Sequence, residues 1–123
     1  MAGLLVDVYG LLELAPSATQ ISCLWMHHPR TRRKEDMAGI AGRCVGAWNA
    51  AVSSSSSSSS GQPGDGGHGG KRGLIALVYD QRNHGSRVVD EKANGSWREG
   101  NAMHAVDMFG AVQGMVADQR VLL

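Results

Sequence analysis

The chain has 123 residues, 42% of them hydrophobic and 19% charged, and twelve basic against eleven acidic side chains leave a net charge of +1. That length holds one small domain, or a piece of a larger one, and not comfortably two. The near-neutral balance gives no field to steer nucleic acid or anionic lipid, and no run of 18 apolar residues is present to span a membrane as a helix.

Residues 1–19 form an N-terminal apolar segment and connection. Leu4 to Leu14 predicts a short helix ending before Pro16. It lacks a basic leading region and carries Asp7 and Glu13, so it does not read as a secretory signal, and a cytoplasmic location is expected. Residues 20–123 form the main domain. Ile21 to His27 predicts a strand whose apolar residues fall on both faces, as in a strand covered on both sides. His28 to Arg33 is a polar turn containing Pro29. A helix follows, with Met37, Ile40, Ala41, Cys44, Trp48 and Ala51 as its expected apolar face. Glu35 and Asp36 suit its first turn, with Thr31 as the expected N-cap.

Residues 53–70 contain only Ser, Gly, Gln, Pro, Asp and His. Such a tract cannot bury enough apolar surface to offset its ordering entropy, and it is read as a disordered linker. Its Gly64-Asp65-Gly66-Gly67-His68-Gly69 matches a dinucleotide-binding pattern in letters only. A serine run precedes it and a strand follows, the reverse of what a pyrophosphate site needs. Leu74 to Tyr79 is the clearest strand, continuously apolar as in a parallel sheet. Asp80 to Arg87 and Asn94-Gly95 are turns, and Ser96-x-x-Glu99 has capping-box spacing. A final helix runs from about Asn101 towards Arg120, with Ala102, Ala105, Phe109, Val112 and Val116 expected to face the core and Asp107 and Asp118 expected on the opposite side.

Strand, helix, strand, helix predicts an α/β fold with a parallel sheet. The loops His27 to Arg33 and Asp80 to Arg87 then leave the same edge and should be neighbours. Ligand sites in open α/β sheets lie just outside the carboxyl ends of strands. His27, His28 and His84 could meet there, but their spacing is no recognised metal pattern and Arg30 and Arg82 would crowd a cation, so no metal and no cofactor is expected. The basic cluster Arg30, Arg32, Arg33 and Lys34 lacks interleaved aromatics and reads as a solvated loop, not a nucleic-acid surface. Cys23 and Cys44 fit neither a disulfide framework nor a zinc motif.

The most informative segment is Tyr79-Asp80-Gln81-Arg82-Asn83-His84-Gly85. A hydrophobic strand ending in Asp-x-Arg-x-His-Gly resembles the turn after the fourth strand of the α/β-hydrolase superfamily. Leu24-Trp25-Met26-His27-His28 resembles the third strand of that family, which ends in His-Gly. The resemblance spans about residues 20–123 apart from the low-complexity tract, and implies an incomplete α/β-hydrolase-like domain. It implies that the third-strand loop supplies an oxyanion-hole N–H, for which Arg30 is the candidate because Pro29 has none. It also implies structural loop roles for His27, His28, Asp80, Arg82, His84 and Gly85, with Asn83 standing where the family commonly has glycine. No G-x-S-x-G is present, and none of the twelve serines sits on a strand-to-helix elbow. No catalytic residue is therefore assigned, and the chain alone is expected to lack triad-dependent cleavage of ester, thioester or amide bonds. The partner implied is the C-terminal part of such a domain. The alternative reading is a non-catalytic module that docks through its sheet edge.

Overall fold

The computed structural model describes residues 3–54 and 71–123, residue 71 by its backbone only. Its elements are β1 (Val6–Tyr9), β2 (Ala18–Met26), α1 (Ala38–Ser54), β3 (Lys71–Tyr79) and α2 (His104–Leu122). Short 3-10 turns occupy Lys34–Met37, Gly85–Arg87, Glu91–Asn94 and Trp97–Glu99. The strands form one mixed sheet in the order β1-β3-β2, with β2 and β3 parallel. The α/β class and the β2–α1–β3–α2 order agree with the sequence expectation.

Three expectations are corrected. The apolar run at 4–14 is not helical: Val6-Asp7-Val8-Tyr9 forms β1, and the sheet is consequently mixed, not purely parallel. Alternating β-branched residues fit a pleated strand better than a helix. Ser53 and Ser54, read as the start of the linker, instead complete the last turn of α1. The Ser53 hydroxyl donates to the Asn49 carbonyl at 2.8 Å. The rest of the expected linker, 55–70, lies outside the described residues. Thr31 is not a helix cap. It sits in a turn at φ 67°, and Asp36 takes the capping role by accepting the Arg33 N–H at 3.1 Å.

The chain divides into two compact units. One comprises 8–26 and 38–77, and contains all of β2 and α1 with most of β3. Here α1 buries Ala41, Val45 and Asn49, a stripe at four-residue steps. Ile40, Cys44, Trp48 and Ala51, expected inside, are exposed. The register of the helix is set by polar groups. The Asn49 amide donates to the Leu74 carbonyl at 2.9 Å and accepts the Leu74 N–H at 3.0 Å, while the Trp48 indole donates to the Arg72 carbonyl at 2.8 Å.

The other unit comprises 3–7, 27–37 and 78–123 and holds both strand-end loops and α2. Val78, Tyr79 and Asp80 are buried in it. The side of α2 turned inward carries Gly114 and Asp118, while Phe109, Val112 and Val116 face solvent. This reverses the sequence expectation, and the reason lies in the loops described next.

Candidate functional site

The loops after β2 and β3 lie side by side, as the parallel order predicts, and backbone groups lock them together. The His28 ring is fully buried. Its Nδ1 lies 2.9 Å from the Pro29 carbonyl, and its Nε2 accepts the Gln81 N–H at 3.1 Å. The Gln81 side-chain amide donates back to the His28 carbonyl at 2.5 Å. A carbonyl only accepts and a backbone N–H only donates, so this pair fixes the neutral tautomer protonated on Nδ1.

Asp80 is the second lock and is 2% exposed. Its Oδ1 accepts the Lys34 N–H at 2.8 Å, and its Oδ2 accepts the Ser86 N–H and hydroxyl, each at 2.8 Å. The Asp80 carbonyl takes a hydrogen bond from Arg87 at 2.9 Å. Burial pushes the Asp80 carboxyl up, but the donors from Ser86 and Lys34 outweigh it and hold the carboxyl below its ordinary value. Gly85 lies against this carboxylate at φ 53°, and a Cβ there would collide with it, so the position requires glycine. Lys34 extends the lock to Asp7, with Nζ 2.6 Å from Oδ1.

Arg82 turns away from this cluster towards α2. Its Nε and Nη2 reach Asp118 Oδ1 at 3.3 and 3.0 Å, and Arg87 reaches Asp118 Oδ2 at 2.6 Å. Gly114 lets the Arg82 stem cross the helix: a Cβ there would lie 2.5 Å from the Arg82 Cδ. Burial raises the Asp118 carboxyl, and the two arginines more than reverse this, leaving it below the ordinary carboxylate range. Two guanidinium groups needing one carboxylate explain why α2 docks by this face.

Asn83 stands at φ 60°, the left-handed conformation for which glycine is otherwise favoured. Its Oδ1 accepts the Val89 and Asp90 N–H groups at 2.8 Å each, and its amide donates to the Asp90 carbonyl at 2.6 Å. Asn94 closes the turn by donating to the Asn83 carbonyl at 2.5 Å.

The remaining sequence candidates divide. Arg30 projects its guanidinium to the Asn94 carbonyl at 3.0 Å, and no described residue accepts its backbone N–H. His84 is buried, with Nδ1 3.0 Å from the Arg82 carbonyl and Nε2 without a described partner. Its ring centre lies 5.4 Å from that of His28. His27 stacks edge-on to Tyr79 at 5.5 Å, and burial keeps its imidazole below the usual value. Among the described residues no three His, Cys, Asp or Glu side chains converge as metal ligands. No described helix is long and apolar enough to cross a membrane.

Sequence reasoning missed three residues that hold this site. Asp118 read as an outward polar residue, Ser86 carried no motif, and Asn101, which donates to Asp107 at 2.8 Å, read only as a helix start. The signal available for Asp118 was the pair Arg82 and Arg87, two cations within one short turn. No protein-family model matches this chain, and neither a curated protein nor a solved structure is significantly similar to it.

Proposed function

We propose that this chain is the N-terminal part of an α/β-hydrolase-type domain whose complete form cleaves ester, thioester or amide bonds. The supporting observation is the interlock of the loops after β2 and β3 through His28–Gln81 and Lys34–Asp80. It brings the Pro29–Arg30 segment beside the Asp-x-Arg-x-His-Gly turn. In this reading the Arg30 N–H is one donor of an oxyanion hole, stabilising the charge that develops on a carbonyl oxygen under attack. His28 and Asp80 fix the loop that carries this donor and take no part in bond cleavage. The nucleophile, acid and base lie outside these 123 residues. A serine hydroxyl without a base is a weak nucleophile, so the chain alone has no triad-dependent hydrolysis.

Long-read sequencing of the transcript through the Leu123 codon tests this reading. The expected result is a frame continuing into a strand with G-x-S-x-G and later Asp and His codons. The longer product should then be labelled by a fluorophosphonate probe, and the 123-residue chain should not. A frame that stops at Leu123 removes hydrolysis for this product and favours the second reading, docking through the sheet edge. That reading draws on β2, a nine-residue edge strand with Ile21 and Cys23 exposed. It expects one stoichiometric complex whose formation is lost with Ile21→Pro, since proline removes a ladder donor.

A further inference from the structure

Thr31, Arg32, Arg33 and Asp36 of one loop, with Gly85 and Val88 of the other, line a cleft of about 370 Å³. Three of the backbone donors beside it are already used. The Arg32 N–H goes to the Pro29 carbonyl at 3.1 Å, the Arg33 N–H to Asp36 and the Lys34 N–H to Asp80. The neighbouring cations are also engaged, Lys34 by Asp7 and Glu35, and Arg30 by the Asn94 carbonyl. The Arg32 and Arg33 guanidinium groups differ: no described carboxylate forms an ion pair with either. Thr31, between Arg30 and Arg32, holds φ 67°. A β-branched residue rarely adopts that conformation, at a cost of about 1–3 kcal/mol. Against the two cations stands one carboxylate, Asp36, so the cleft carries a single excess positive charge.

We propose that this cleft binds the carboxylate of a small ligand whose short apolar part rests on Val88. A carboxylate presents two oxygens that match a guanidinium fork, and its single charge balances the cleft. A phosphate monoester dianion would overshoot that balance beside Asp36. The cleft lies outside the carboxyl ends of β2 and β3, where open α/β sheets place their ligands. The proposal makes no use of the hydrolase relationship, and either can fail without the other.

The test is a titration of dilute ¹⁵N-labelled chain at low ionic strength, following the amides of Thr31, Arg32, Arg33, Gly85 and Val88. Butyrate should shift them saturably with a midpoint of about 1 mM. Neutral methyl butyrate should not, and high salt should weaken the effect because the charges are solvent-facing. Arg32→Gln with Arg33→Gln should weaken binding at least tenfold while leaving the Gln81 and Ser86 amides unmoved, which certifies the fold. Arg98→Gln with Arg120→Gln removes equal charge elsewhere and should leave binding intact. Linear, unsaturating shifts would overturn the proposal, as would equal loss in both double variants. Tighter binding of methyl phosphate at the same amides would overturn the carboxylate assignment.

Discussion

His28 is held by two backbone groups whose roles cannot be exchanged, and this makes its protonation state readable. Long-range ¹⁵N spectra at neutral pH should show the imidazole protonated on Nδ1 with Nε2 bare. A spectrum of the opposite tautomer would contradict the Gln81 bond. Replacing His28 by Phe keeps the ring but strands the buried Gln81 N–H, while the Pro29 carbonyl keeps its bond from the Arg32 N–H. The expected loss is about 2 kcal/mol in denaturant unfolding, given a cost of about 1–3 kcal/mol for a buried group left unpaired. Asn83 poses the opposite problem. Its backbone conformation favours glycine, but its side chain satisfies two N–H groups and a carbonyl. At about 1 kcal/mol per hydrogen bond, the side chain outweighs the strain. Asn83→Gly should therefore destabilise the chain by about 1–2 kcal/mol, and a stabilising result would show that the turn bonds are weak.

The same contest between polar pairing and apolar pattern decides how α2 lies. Its apolar stripe is outside, with Phe109 66% exposed, and its docked face is Gly114 and Asp118. Gly114→Ala gains about 1 kcal/mol of helix propensity but forces the Arg82 stem off Asp118. The expected outcome is net destabilisation in the natural chain and stabilisation once Arg82 is already Ala, a coupling that a double-mutant cycle reads directly. Asp118 also sets an acid limit. Its folded carboxyl titrates below the unfolded value of about 3.9, so its contribution is complete above that pH and disappears as pH falls through the folded value. Thermal midpoints should drop as pH falls below about 4, and Asp118→Asn should flatten that drop while lowering the midpoint at neutral pH. Arg82 is half exposed, so the neutral-pH loss is about 1–2 kcal/mol and not that of a fully buried pair. These cases mark what the sequence makes legible. β2, β3 and both long helices follow from period and composition, and the neighbouring loops follow from parallel order. β1 does not, because its partner β3 begins more than 60 residues later, and a four-residue alternation is lost inside an apolar run. Helix rotation is also hidden, since a hydrophobic stripe says that a face can be buried, whereas Asn49 and Asp118 decide which face is.

Those rotations have a consequence for the molecule as a solute. Each unit displays a helix with a bare apolar stripe, Ile40 and Trp48 on α1 and Phe109, Val112 and Val116 on α2. Under the proposed reading the remainder of the domain covers such faces. The isolated chain has little charge to oppose association, because its net charge is +1 and its isoelectric point is about 7.9. Exposed apolar patches and unpaired strand edges drive association at micromolar concentrations and above. The expected result is concentration-dependent growth in light scattering that is strongest near pH 7.9 and weaker at pH 6. Phe109→Glu with Val116→Glu should suppress it by charging the α2 stripe without touching the docked face. The thermal midpoint should change little, since surface substitutions typically stay within about 0.5 kcal/mol. Growth unchanged by these substitutions would place the sticky surface on α1 or the β2 edge, where Trp48→Glu and Ile21→Lys separate the two. A monodisperse monomer across the whole concentration range would mean that the exposed stripes are too narrow to associate, and would weaken the case that anything is needed to cover them.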